Sequence, residues 1–337
     1  MKFLRQQLSS WSWEVLLLVL LVLTIFLGNS LSPYFLTPFN LSLMVEGFIE
    51  IAIMALSMTL IIIAGEIDLS VASVLGLSSV MLGVTWNAGL PLWLDMIIAL
   101  AIGMLAGLLN GLLVTRLGLP SLVVTLGTLA LFRGLAYVIL GSQAVSNFPS
   151  GFTTFGIGDV PGTLIPWTFV LFVLLALAFF VVLHLSWIGR QIFAIGNNKE
   201  AARFAGIRVN RLKLLLFVLS GLLAAVAGIV FTARISSARA DNAVGFELYV
   251  VTAVLLGGVN IFGGRGSLVG VILALFVIGG LRNALGLNNI SGDIQNIVIG
   301  TLLVLSVLGP NIAQRIQAAA SRRRLATGSS KTSVKGG

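Results

Sequence analysis

Along this chain, apolar runs of about 20 residues alternate with short polar breaks, the length that a bilayer's hydrocarbon core asks of a helix. The first run ends near Leu27, the second covers Leu41–Ala64, the third Leu69–Trp86 and the fourth Pro91–Val114. The fifth runs over Pro120–Gly141, the sixth over Thr163–Leu185 and the seventh over Leu212–Thr232. An eighth ends near Gly257, the ninth is Leu268–Leu285 and the tenth Ile294–Leu308. These runs are too continuous for barrel strands, whose polarity alternates. The pattern predicts an all-α polytopic membrane protein of about ten transmembrane helices. Lys2 and Arg5 ahead of the first run resemble the start of a signal peptide, but no A-x-A-like site follows, so it reads as a span.

The breaks carry their own signals. Gly65-Glu66-Ile67-Asp68 ends the second span, and Asp68 is placed to N-cap the third. Gly141–Gly162 reads as a long loop, Thr232 to about Phe246 as a polar connection, and GGVNIFGGRGS (Gly257–Ser267) as a tight hairpin. Short hairpins of this kind can also be re-entrant.

Composition sharpens the class. Of 337 residues, 58% are hydrophobic and 9% charged, against about 25% charged in a soluble domain. The net charge of +9 does not point to nucleic acid, because the basic residues sit in loops and the tail. With both termini cytoplasmic, Lys2, Arg5, Arg116, six residues of Ser186–Lys213, Arg265 and six of the tail fall inside, sixteen of the 20 Lys and Arg. Arg234, Arg239 and Arg282 fall outside and Arg133 within a span, a bias that sets the orientation. There are no cysteines, so thiolate chemistry is excluded, and His184, alone at the end of a span, reads as interfacial.

Three groups of residues invite a chemical reading. Glu46, Glu50 and Arg133 lie within spans, where a charge is costly and pairs or faces a cavity. Glu50 and Arg133 sit at similar depth and are expected to form a structural pair. The rival is a proton or cation path through Glu46 and Glu50. Gly103, Gly107 and Gly111 recur at four-residue spacing beside Asn110, a smooth face for close helix packing. Gly258 and Gly263 have the glycine spacing of a phosphate loop, but Gly264-Arg265 stands where Lys-Ser/Thr must follow. Hence no nucleotide site or cofactor is expected in this chain, and any ATP chemistry belongs to a partner.

Ser186–Lys213 is the one long polar segment crowded with charge. Asn198 can N-cap a helix from Lys199 to Ala205, and Gly206 can end it. Ala201, Ala202 and Ala205 are small beside the large Phe204, with Glu200 the single acid. That is the form of a docking helix; the alternative is an ordinary basic loop.

Four stretches resemble a known family, the permease subunits of bacterial sugar-type ABC importers, such as those for ribose, xylose, rhamnose and autoinducer-2. Gly65–Ser73, GEIDLSVAS, is similar to the family's GGIDLSVGS, with Glu66 and Ala72 in place of glycine. Asn110–Gly141 resembles its NGLLV…VTLGTL…RG segment, Gly189–Ile207 its cytoplasmic coupling loop, and Val254–Arg282 its LLGG…GG.GS..G signature. The resemblance implies a permease domain over 1–317, with 186–213 as coupling loop and 318–337 as a basic, disordered cytoplasmic tail. It implies a multi-pass protein of the bacterial inner membrane that pairs with a second permease subunit, identical or related. It further implies an ABC ATPase docked on Asn198–Gly206 and a periplasmic or lipid-anchored solute-binding protein. The chain would then be a transport subunit rather than an enzyme. General likeness prefers rhamnose or autoinducer-2 as solute, and an ion-coupled secondary transporter is the alternative.

Overall fold

In hydrocarbon every backbone N–H and C=O must be satisfied internally, so an apolar run of membrane length folds as a helix. The computed structural model describes residues 2–306 and 308; the tail expected to be disordered from Ala318 lies outside them. In chain order the elements are α1 (Lys2–Leu31), α2 (Pro38–Glu46), α3 (Ile49–Ile63), α4 (Val71–Asn87), α5 (Leu92–Thr115) and α6 (Ser121–Leu140). Then come β1 (Ala144–Val145), α7 (Ser150–Ile157), α8 (Trp167–Phe180) with a π-helical turn over Val181–Leu185, α9 (Trp187–Asn197) and α10 (Lys199–Phe204). The chain continues with α11 (Val209–Ile235), β2 (Ala238–Arg239), α12 (Phe246–Leu256), α13 (Leu268–Leu287) and α14 (Gly292–Ser306).

Among the described residues six helices are long and apolar enough to cross a membrane, and α2 with α3, bent by 50°, makes a seventh if the pair is counted as one span. The remaining three expected spans coincide with shorter apolar helices: α4, α12 and α14. The core is centred on α3, whose sequence IEIAIMALSMTLIII is apolar on all sides and whose every residue is buried. A helix of that kind belongs inside a larger body. α11 packs on α3, α4 and α5, while α12 and α13 close the other side of α3. α1, α6 and α8 lie outside and present apolar side chains such as Phe26, Val138 and Leu174.

Close packing, rather than a hydrophobic drive, holds helices together in lipid. Along the α5–α11 contact, a Cβ on Gly103 would come within 2.5 Å of Ala225 Cβ, and one on Gly111 within 2.7 Å of Leu214 Cδ1. A Cβ on Gly107 would meet the Phe217 carbonyl.

Three sequence expectations need correction. The second span breaks at Gly47-Phe48, where Phe48 fits against Gly279 and meets the Phe276 ring edge-on at 5.4 Å. The expected loop at 141–162 contains α7, packed on α11, and β1, which pairs antiparallel with β2. The polar connection after α11 does not stay at the surface. From β2, beside Gly83, it descends along α4 until Asn242 lies against Gly76. Gly76 is about 16 Å below the Asn87 end of α4 at 1.5 Å per residue, so α12 starts deep in the bundle.

Candidate functional site: a capped helix seated on α9 and α11

The polar segment folds as two short helices because each has a side chain to cap it. Ser186 Oγ accepts from the backbone N–H groups of Ile188 and Gly189 at 3.1 and 3.3 Å and starts α9. Asn198 Oδ1 accepts from Ala201 N at 3.0 Å and starts α10. Gly206, at φ +84°, closes α10: its N–H donates to Arg203 O at 2.9 Å, and Ile207 N to Ala202 O at 3.0 Å. Only a residue free to take the left-handed conformation turns there without strain. The helix ends at Phe204, with Ala205 as C-cap.

Its outer face is fully presented. Lys199, Glu200, Ala201, Arg203, Ala205 and Gly206 are exposed, and Phe204 is 91% exposed. Glu200 and Arg203 pair across one turn at 3.0 Å. Ala202 points the other way and is buried with Ile195 and Val209. The grouping of Ala202 with the docking face is therefore corrected: it is the knob that seats α10 on α9 and α11. Lys213, counted with the basic loop, is also turned inward and pairs with Glu66. The Glu that departs from the family pattern thus has a partner on α11, a contact that spacing alone does not show.

The seat continues into the bundle. Asn197 Nδ2 donates to Gly264 O at 3.2 Å, and Gly264 N donates to Ile63 O at 2.8 Å. A Cβ on Gly196 would strike both Ile63 O and Gly264 N, so the backbones of α9, the 257–267 hairpin and the end of α3 meet without side chains between them. Nearby, Asp68 does not N-cap α4, whose cap position is Ser70. Its carboxylate accepts from Ser70 N, Ser70 Oγ and Ser220 Oγ at 3.0, 2.6 and 2.8 Å. Asn110 Nδ2 donates to Ser70 Oγ at 2.8 Å, linking α5 to the same loop. His184 Nε2 accepts from Leu268 N at 3.2 Å at the start of α13. These contacts bind the loops at 64–70, 186–208 and 257–267 into one end of the molecule.

Comparison with known proteins decides the family. Residues 41–307 match the family described as the permease component of the branched-chain amino acid transport system. The autoinducer 2 import system permease protein LsrD of Enterobacter sp. (strain 638) is 38% identical over 308 residues, covering 90% of this chain and 94% of that protein. LsrD of Klebsiella pneumoniae is 37% identical over 308 residues and that of Escherichia coli K12 35% over 309, each spanning 90% of this chain and 92% and 93% of theirs. The chain belongs to the permease family of sugar-type ABC importers. No solved structure matches it.

Inside the permease, the intramembrane charges are paired differently from the sequence expectation. Glu50 and Arg133 are not partners. Glu50, fully buried, accepts from Arg234 Nε at 2.7 Å, and its other oxygen has no hydrogen-bond partner among the described residues. Arg234 also lies 5.4 Å from the centre of the Phe231 ring. Arg133 instead donates through Nη1 to Ala240 O and Asn242 O at 2.6 and 2.8 Å, and through Nη2 to Ala72 O at 3.1 Å. The cause is the descending segment after β2: unwound backbone at that depth must have its carbonyls satisfied, and the guanidinium, with five donors, does it. Glu46 and Glu50 do not share one helix face either, since the bend at Gly47-Phe48 separates α2 from α3.

Proposed function

We propose that this permease is the membrane subunit of an ATP-driven importer for autoinducer 2 or a closely related sugar-like solute. A partner ATPase would dock on α10, and a second permease subunit and a solute-binding protein would complete the system at the bacterial inner membrane. The observation that carries the reading is α10 itself, a capped helix with one bare aromatic, held rigidly by Ala202 beneath it. The solute class rests on relatives named for autoinducer 2 import that span nearly the whole chain.

The coupling follows from the seat. A push on α10 reaches α11 through Ala202 and Val209, and reaches α3 and the 257–267 hairpin through Asn197 and Gly264. Rigid elements joined this way move as a body, the kind of shift that opens one side of a transporter and closes the other. The ion-coupled alternative is disfavoured, because Glu50 is held by Arg234 and lies on a different helix from Glu46.

Phe204→Ala tests the docking claim. An interface aromatic anchor is worth about 2 kcal/mol or more, so the isolated ATPase should bind the variant on the order of 30-fold more weakly, while the permease inserts normally. Binding at wild-type strength would remove α10 as the docking element.

A further inference from the structure

The descending segment Ser236–Gly245 has two faces, and its second face is unaccounted for. The inner face is satisfied by Arg133 on the Ala240 and Asn242 carbonyls and by Asn242 Nδ2 donating to Ser79 Oγ at 3.1 Å. Ser79 in turn shares a hydrogen bond of 2.7 Å with Thr232. The outer face carries Arg239 and Asp241, an ion pair at 2.8 and 2.9 Å with both side chains nearly half exposed, and Val244, 63% exposed. Left-handed backbone recurs within the same ten residues, at Ser236, Ala243 and Gly245 (φ 51°, 59° and 88°). For Ser and Ala this is strained, the kind of conformation that clusters where function requires it.

Depth makes this face informative. Arg133, hydrogen-bonded to the segment, lies seven residues before the end of α6, about 10 Å inside that end. The outer surface of α6 at this level is lipid-like, with Leu131 48% and Leu135 41% exposed on either side of Arg133. Arg239 stands in β2, opposite Ala144 beyond the end of α6, but Asp241 lies between the two residues whose carbonyls Arg133 holds. An irregular backbone bearing an exposed carboxylate at that depth does not face hydrocarbon; it is tolerated only within protein or along a water-filled cavity. In secondary transporters, discontinuous helices at membrane depth are where solutes bind, and the same backbone logic applies to any solute path.

We infer that Arg239, Asp241 and Val244, with Tyr137 one turn along α6 from Arg133, line the aqueous path of the solute. The surface suits a small, neutral, polyhydroxylated molecule: paired donors and acceptors without net charge, beside a phenol hydroxyl. This rests on the importer reading above and adds where the solute passes.

The chain contains no cysteine, so single cysteines report without background. Val244→Cys, Asp241→Cys and, as a lipid-facing reference at the level of Arg133, Leu131→Cys are placed in the complete complex in membrane vesicles. Each is treated with a charged, membrane-impermeant methanethiosulfonate, in nucleotide-free and ATP-trapped states. A charged reagent is excluded from hydrocarbon, so Val244→Cys or Asp241→Cys should react roughly a hundredfold faster than Leu131→Cys in at least one state. Equal rates for all three in both states would overturn the inference and leave the face buried against protein or lipid. Labelling reads water access and not uptake, so the inference can fail while ATP-driven import stands.

Discussion

Glu50 has no exposed surface, and among the described residues the Arg234 guanidinium is its one ionic partner. Breaking a buried pair by removing one member costs about 3–5 kcal/mol, because the other charge is left uncompensated. Arg234→Ala should therefore lower the thermal stability of the purified permease sharply, and Glu50→Ala combined with it should cost less than the sum of the two. The same cycle between Glu50 and Arg133 should be additive, since Arg133 serves backbone carbonyls; coupling there and additivity at Arg234 would reverse the assignment. Sequence reading places Glu50 and Arg133 at equal depth, which permits contact without making neighbours. Arg234 is hidden from it by its position at the end of a helix, where a basic residue passes for an outside charge. Nor does any spacing reveal that Arg133 must satisfy carbonyls, because the segment that offers two of them is itself read only as a polar connection.

At the scale of elements, what the sequence shows well is what depends on neighbours along the chain. Asn198 directly precedes α10 and Gly206 stands two residues past its last residue, and their capping chemistry is local, so start and end can be read directly. The bend between α2 and α3 is harder: no proline marks it, and it depends on Phe48 fitting against Gly279 more than two hundred residues away. α12 is likewise half a span because of where the chain enters the bundle, not because its own residues differ from a longer helix. The glycine face on α5 is legible as spacing, though its partner α11 is not. Gly107→Leu should force α5 and α11 apart, since even a Cβ there meets the Phe217 carbonyl. Overpacking of this kind costs about 1–3 kcal/mol, so the melting temperature should fall, while Gly127→Leu, at a position with open space, should leave it nearly unchanged. Equal effects at both sites would mean that α5 does not pack through this face.

For the whole molecule, the loops that hold α10 gather at one end, and the β1–β2 pair, the 32–37 turn and the α13–α14 turn belong to the other. From the charge bias we propose that the first end is the cytoplasmic one. Reporter fusions at Asn198 and Gly264 should therefore read cytoplasmic and one at Ser146 should read external; a periplasmic reading at Asn198 would invert the permease and remove the docking claim. The central claim, that an ATPase acting on this helix drives solute inward, is tested most directly by uptake. The permease, its partner ATPase and binding protein are reconstituted in proteoliposomes and labelled autoinducer 2 is followed. Uptake should require ATP, persist when the proton gradient is collapsed by an ionophore, and fall with Phe204→Ala in step with the loss of ATPase binding. Uptake that survives without ATP and stops with the gradient would contradict the account.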